Sequence, residues 1–311
     1  MIAISVSYIY GVTTMRVVGT LILLSAALGG CERKGNSAAG AGPSPNVLRF
    51  AAIPNEKTVE LRERFAPWEK YLSEKLGVRV EYVPTTDYNA SVDAFVNGDV
   101  QLCWFGGLTG VRANRAIPGA RAIAQGAVDP QYRSYFIAHR DTGLARSDEF
   151  PMGLAGRRFT FGSDSSTSGR LMPEYFIRKR TGKAPRDFFG TEMNFSGSHD
   201  RTAELVQAGT FEAGALDYKT YDRMVAEKKI DPELCRVVWV TPPYADYHFL
   251  SHSRLDEWFG AGFTDRLQMA IVEAKDPTLL SALNRPEGFI SAKNEEWDAL
   301  RSLARELGLV R

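Results

Sequence analysis

From residue 47 onward, short apolar runs alternate with segments whose apolar residues recur every three or four positions, the two periods that separate strand from helix. The pattern predicts a strand at 47–53. A helix opened by Pro67 follows, with Trp68, Tyr71, Leu72 and Leu76 on one face and Gly77 at its end. Strands are predicted at 78–83, 100–105, 121–128 and 133–139, with a helix at 89–97 closed by Gly98. A second series begins near Thr142, with strands at 158–161, 192–195, 212–216 and 236–240 and helices at 170–181, 202–207 and 220–228. The break Thr241-Pro242-Pro243 precedes a strand at 247–250. Two helical faces close the chain, one of Leu267, Ala270, Ile271 and Ala274, the other of Trp297, Leu300, Ala304 and Leu307. No repeat of solenoid period is present. The rhythm predicts an α/β protein of two lobes, each a mainly parallel sheet flanked by helices, with a cleft between them. The expected division is lobe I at 47–139 and 245–311, lobe II at 140–244, and hinges near 139–142 and 241–245.

The segment before residue 47 has another character. Residues 15–31 read MRVVGTLILLSAALGGC: one basic residue, Arg16, then an apolar stretch ending in small residues before Cys31. This is the layout of a secretory signal peptide at 1–30, with Met15 as the expected start. Leu28-Gly29-Gly30-Cys31 resembles the bacterial lipobox, which implies lipidation at Cys31 and an extracytoplasmic location, in the periplasm or on the cell surface. The alternative is a buried N-terminal helix in which Cys31 is incidental. Residues 31–46 are rich in Gly, Ala, Ser and Pro and read as a flexible, lipid-anchored linker. The apolar run at 17–30 is 14 residues, short for a membrane span.

Composition narrows the classes. The 311 residues are 44% hydrophobic and 24% charged, which excludes disorder, collagen and coiled coil. Lys plus Arg number 38 against 37 Asp plus Glu, and removing 1–30 takes only Arg16, leaving 37 of each. No basic excess points to nucleic acid. Three cysteines without a CxxC or Cys/His cluster suggest neither a disulfide scaffold nor zinc.

Polar clusters gather where strands give way to helices: Thr85-Thr86-Asp87-Tyr88-Asn89, Phe105-Gly106-Gly107-Leu108-Thr109-Gly110, Ser163 to Gly169, Ser196-Gly197-Ser198-His199-Asp200, and Asp217-Tyr218-Lys219. A helix N-terminus has unpaired N–H groups and partial positive charge, so convergent ones form a receptor for a tetrahedral anion. Any one junction also reads as a plain cap, and Asp87 and Asp200 fit that reading. The four hydroxyls from Ser165 to Ser168 exceed what one cap needs. His199 reads equally as a packed histidine, and Tyr88 as a packing residue lining the cleft.

Phe161-Gly162-Ser163, Ser166-Thr167-Ser168-Gly169 and Pro173 together resemble the phosphonate-binding, PhnD-like solute receptors of bacterial ABC importers. So do Asp87-Tyr88, Trp104-Phe105-Gly106, Gly197-Ser198-His199-Asp200, Leu205-Val206 and Gly209, in order from 47 to 288. The resemblance implies a type 2 periplasmic-binding-protein fold, an ABC permease and its ATPase as partners, a monomer, no cofactor and no catalysis. It implies that Tyr88, Ser166, Thr167, Ser168 and His199 hold phosphonate oxygens. Phe105, also counted among the residues lining the ligand, stands where relatives often carry Tyr, so it would offer the ligand packing and no hydrogen bond. Lys219 stands beside Asp217 where aminophosphonate receptors place acid, which favours an anion without an amine: phosphite, methylphosphonate or phosphate. The stretch Gly98-Asp99-Val100-Gln101-Leu102, with Phe105 to Gly110, is similar to a subgroup labelled selenate receptors. Were Asp217 to face the ligand, a protonated phosphorus oxyanion would suit it and ionised selenate would not. Three alternatives stay open: an enzyme on the same fold, although no GxSxG or HExxH is present; a ferric-iron receptor using Tyr88, His199, Asp87 and Asp217; and a lipid-anchored sensor.

Overall fold

The computed structural model describes residues 47–55 and 58–310. The leader, its Met15 start and Cys31 lie outside the described residues. The first elements are β1 Val47–Ala52, α1 Thr58–Leu76, β2 Arg79–Tyr82, α2 Tyr88–Val96, β3 Leu102–Phe105, α3 Gly107–Ala116 and β4 Arg121–Gly126. After residues 127–133 come β5 Ser134–His139 and β6 Phe159–Phe161, then a wide turn, Thr167–Leu171, that runs into α4 Met172–Thr181. Next are α5 Pro185–Phe189, β7 Asn194–Phe195, α6 His199–Gln207, β8 Ala213–Asp217, α7 Tyr218–Ala226 and β9 Cys235–Val240. Residues 241–247 lead to β10 His248–Ser251, α8 Leu255–Phe259, α9 Phe263–Val272, α10 Pro277–Ala282, β11 Phe289–Ser291 and α11 Asp298–Glu306.

The strands form two sheets, ordered β11-β4-β10-β3-β1-β2 and β7-β6-β8-β5-β9. Both are mixed. In the first, β10 and β11 run against the other four; in the second, β5 alone opposes its neighbours. The strands β5 and β10 are those that arrive directly from the other sheet. Each is entered across a short connection, 127–133 before β5 and 241–247 before β10.

This topology moves one expected boundary. The sequence pattern places 133–139 with the first lobe, yet Ser134 pairs with Asp217 and His139 with Cys235, so β5 belongs to the second sheet. The first crossing is therefore at 127–133, ahead of the expected 139–142. The second crossing is at 241–247. The crossings lie side by side, with Tyr132 and Tyr244 exchanging backbone hydrogen bonds of 2.9 and 3.0 Å.

Two further differences have local causes. Helix α1 begins nine residues before Pro67, which sits in its interior. Leu61, Phe65, Trp68 and Leu72 make one buried face across the proline. Burying each contributes about 1.5–3 kcal/mol, more in total than the roughly 3 kcal/mol an interior proline costs. Helix α3 has no predicted counterpart because its sequence, GLTGVRANRA, carries two glycines and no continuous apolar stripe.

Candidate functional site

All five polar junctions are helix starts, and they meet at the seam between the sheets. Asp87 caps α2 by accepting from Ala90 N, which leaves Tyr88 as the first helical residue, its ring buried. Ser166 begins the wide turn ahead of α4, its Oγ accepting from Gly169 N at 2.9 Å. Thr167 Oγ1 accepts from Leu108 N at 2.9 Å, bridging the two sheets. Each of these hydroxyls accepts a backbone N–H and so has its own hydrogen left to donate. The N–H groups of Thr167 and Ser168 precede the first intrahelical bond and point out of the helix start. Ser134 holds Ser168 from behind by donating to its carbonyl at 2.7 Å.

Three buried side-chain atoms of this cluster have no hydrogen-bond partner: Tyr88 OH, Ser168 Oγ and Asp246 Oδ2. Leaving such an atom unpaired costs about 1–3 kcal/mol. Burial raises the Tyr88 phenol well above its ordinary range, the charges of Asp217 and Asp246 add to this, and Ser166 opposes it. Tyr88 therefore presents a hydrogen.

Asp246 is the residue that sequence reasoning missed. Its Oδ1 accepts from Gly107 N at 2.8 Å, at the start of α3. Its own N–H bonds to Asp129 O, and its carbonyl accepts from Trp297 Nε1 at 2.7 Å, so the carboxyl cannot swing away. Burial pushes that carboxyl up to about 7; Gly107 and Thr167 pull it down, while Asp129 and Asp217 push it further up. One sequence signal pointed to it. Asp-Tyr occurs three times, at Asp87-Tyr88, Asp217-Tyr218 and Asp246-Tyr247, and all three lie at this seam.

Asp217 comes to the site with its oxygens already engaged. Oδ1 accepts from Thr220 N at 2.8 Å and Tyr132 OH at 2.9 Å, and Oδ2 accepts from Thr220 Oγ1 at 2.8 Å and lies 3.3 Å from His199 Nε2. Burial alone would raise this carboxyl, but His199, Thr220 and Tyr132 together hold it below the usual value. The Nδ1 of His199 accepts from Asp217 N at 3.3 Å, which puts the ring hydrogen on Nε2, between Asp217 Oδ2 and Tyr247 OH at 3.4 Å. His199 and Asp217 thus form a pair that supports Tyr132 and Tyr247.

Phe105 is placed otherwise than expected. Its ring is fully buried and meets Phe95 of α2 edge-on at 5.6 Å, inside the first sheet's core. Side chains alternate across a strand, so Trp104 takes the opposite face and stacks on Tyr247 at 5.6 Å. The next residue faces the seam: a Cβ at Gly106 would lie 3.3 Å from both Asp246 Oδ1 and Thr167 Oγ1. Lys219 pairs with Glu287 at 3.0 Å and lines the small cavity beside the cluster. Asp200 accepts from Arg201 N and the Ser198 hydroxyl. Beside the cluster, Asn55, Trp104, Tyr132, Asp217, Tyr247 and Arg285 line a cavity of about 20 Å³, room for a single water-sized group. Among the described residues, no three His, Cys, Asp or Glu side chains are gathered as a metal would require, and no helix is long and apolar enough to cross a membrane.

A family model described as "ABC transporter, phosphonate, periplasmic substrate-binding protein" matches residues 50–297. The chain is 35% identical over 274 residues to a probable ABC transporter phosphite binding protein, PhnD1, of Prochlorococcus marinus, covering 86% of this chain and 92% of that one. It is 29% identical over 249 residues to the phosphate-import protein PhnD of Mycolicibacterium smegmatis, covering 75% and 74%. Among solved structures, P. marinus PhnD1 in complex with methylphosphonate matches with a TM-score of 0.80 at 36% identity, covering 86% of this chain and all of that one.

Proposed function

Because the chain belongs to the phosphonate-binding family of ABC transporter periplasmic substrate-binding proteins, we propose that it captures a small, singly protonated phosphorus oxyanion, of the phosphite or methylphosphonate type, in the seam between its sheets. The observation that carries this is the trio of buried atoms without a hydrogen-bond partner in this cluster, two donors (Tyr88 OH and Ser168 Oγ) and one acceptor (Asp246 Oδ2). A ligand that satisfies them must both accept and donate. Ser166, Thr167 and the N–H groups that follow add donors for its remaining oxygens. The narrow neighbouring cavity favours a hydrogen or methyl on phosphorus over a long substituent. The similar P. marinus protein, named for phosphite and solved with methylphosphonate, supports the same class.

The two sheets serve as lobes, hinged at 127–133 and 241–247, that close on the ligand and present the closed form to a permease and its ATPase. Leu108 N with Thr167 Oγ1, Arg112 with Ser165 at 2.8 Å, and Lys219 with Glu287 hold the closed form together. The protein binds and releases its ligand without altering it. Selenate is disfavoured because it would leave Asp246 Oδ2 facing a fully ionised oxygen. Ferric iron is disfavoured because Asp87 turns into its own helix and Asp217 is saturated.

Calorimetric titration with phosphite, methylphosphonate, phosphate, 2-aminoethylphosphonate, selenate, sulfate and ferric iron tests the reading. Phosphite and methylphosphonate should bind tightest at pH 7; sulfate or selenate binding equally well would overturn it. The lipobox-like Leu28-Gly29-Gly30-Cys31 supports anchoring of the mature chain to a membrane by lipid at Cys31. Cys31→Ser expressed from the full chain should move the protein from the membrane to the soluble fraction. Persistence in the membrane would sink the anchor.

A further inference from the structure

Behind the binding cluster lies a buried charge that the proposed capture does not use. Arg285, between α10 and β11, is 3% exposed, and its ion-pair partner Asp129 is completely buried. The guanidinium donates through Nε and Nη2 to Asp129, and through Nη1 to the carbonyls of Leu283 and Asn284 at 2.9 and 3.0 Å. A buried ion pair of this kind is weak evidence for stability, since apolar replacements of equal volume are often neutral. What surrounds it is more telling. The guanidinium carbon lies 5.3, 5.2 and 5.0 Å from the ring centroids of Trp104, Tyr132 and Tyr247.

Those three rings come from three places that must stay in register. Trp104 lies near the end of β3, Tyr132 in the first crossing and Tyr247 in the second. The two tyrosines reach the histidine–aspartate pair from opposite sides, Tyr132 OH donating to Asp217 and Tyr247 OH meeting His199 Nε2. Asp129 itself sits in the first crossing and accepts from Asp246 N through its carbonyl. One side chain therefore touches both crossings and β3.

We propose that Arg285 is a positioning residue of the binding site: its planar cation fixes Tyr132 and Tyr247 against the two crossings, and through them sets the orientation of the His199 ring, whose tautomer the Asp217 N–H holds. Guanidinium suits the task because it stacks on rings while its edge hydrogen-bonds, which ammonium cannot do. The inference rests on the proposed oxyanion capture only for its effect on affinity; the effect on His199 stands apart from any ligand.

The test uses the mature chain with two variants. Arg285→Lys keeps the charge and loses the plane. Arg285→Met with Asp129→Asn removes the pair without leaving a buried carboxylate unpaired, and the carboxamide that replaces the carboxylate keeps an oxygen for Gly126 N. With folding verified by circular dichroism, the 15N resonances of the His199 ring are compared in ligand-free protein. Both variants should shift the His199 Nε2 resonance, as its contacts with Asp217 Oδ2 and Tyr247 OH change, and weaken methylphosphonate binding about tenfold. Unchanged His199 resonances, with only a lowered Tm, would reduce Arg285 to a structural role and overturn the proposal. If the wild-type protein binds no methylphosphonate, the ligand assignment fails while the His199 comparison still decides the role of Arg285.

Discussion

Asp246→Asn is expected to reverse the protein's order of preference between phosphorus and group-16 oxyanions. In the wild type, the carboxyl holds Gly107 N with one oxygen and leaves the other, buried, without a partner. With its titration near 7, the bound state holds a single proton, carried either by Asp246 or by the ligand. The sign follows. Below pH 7 the proton is already present on Asp246, and above it a dianionic ligand must bring one in. Affinity for phosphite or methylphosphonate should therefore fall as pH rises through 7, by up to about tenfold per unit. Sulfate and selenate carry no proton at any pH in this range and bind only when Asp246 is protonated, so their affinity should rise as pH falls through 7.

An asparagine at 246 changes these terms. Its oxygen retains Gly107 N, and its amide donates two hydrogens to whatever oxyanion is present. The substitution removes the need for that proton, so an oxyanion with no hydrogen of its own is admitted at any pH. Titration at pH 9, in buffers of different ionisation enthalpy, should show proton uptake in the wild type and none in the variant, with sulfate binding gained by about 10²-fold, the cost of protonating a carboxyl that titrates about two units lower. A variant that still excludes sulfate and still takes up a proton would remove Asp246 from the site.

Thr167→Val should weaken oxyanion binding by roughly 10²–10³-fold, with little change in Tm. Valine matches threonine in shape but lacks both roles of the hydroxyl. The lost hydrogen bond to an anion is worth about 1.5–3 kcal/mol, and leaving Leu108 N buried and unpaired costs about 1–3 kcal/mol more. Each 1.4 kcal/mol is one decade of affinity. The loss falls on binding because Leu108 and Thr167 belong to different sheets and meet only across the seam. In an open form both groups would be hydrated. Isothermal titration beside a thermal melt separates the outcomes. Wild-type affinity would refute contact with the ligand, and a large fall in Tm would make the hydroxyl a stabiliser of the ligand-free fold.

The site was unevenly legible. The run from Ser165 to Ser168 announced itself because four consecutive hydroxyls outnumber what a cap can use, whereas Tyr88 and His199 came from the family resemblance, their places at helix starts leaving packing equally open. Asp217 was legible as present but not in its function. That its oxygens are filled by Thr220, Tyr132 and His199 depends on residues up to 85 positions away. Phe105 draws its expected place beside the ligand from its neighbours in sequence, whereas strand alternation gives that direction to Trp104 and the backbone at Gly106. Asp246 escapes notice because a carboxylate ahead of a strand reads as part of a polar connection until burial and its fixed hydrogen bonds are known.

What the sequence determined by itself are the features encoded within a few residues of one another: the alternation of strands and helices, the helix starts and their donors, and the two-sheet α/β class. Tertiary structure alone decided which sheet each strand joins. Ser134 pairs with Asp217, and His248 with Phe105, across separations that no local period reports. It also decided the chemistry of the seam, since a carboxyl near pH 7, a histidine with one tautomer and a buried guanidinium among three rings are consequences of burial. Burial is a property of the whole packed chain, and the same side chains in water would show none of it.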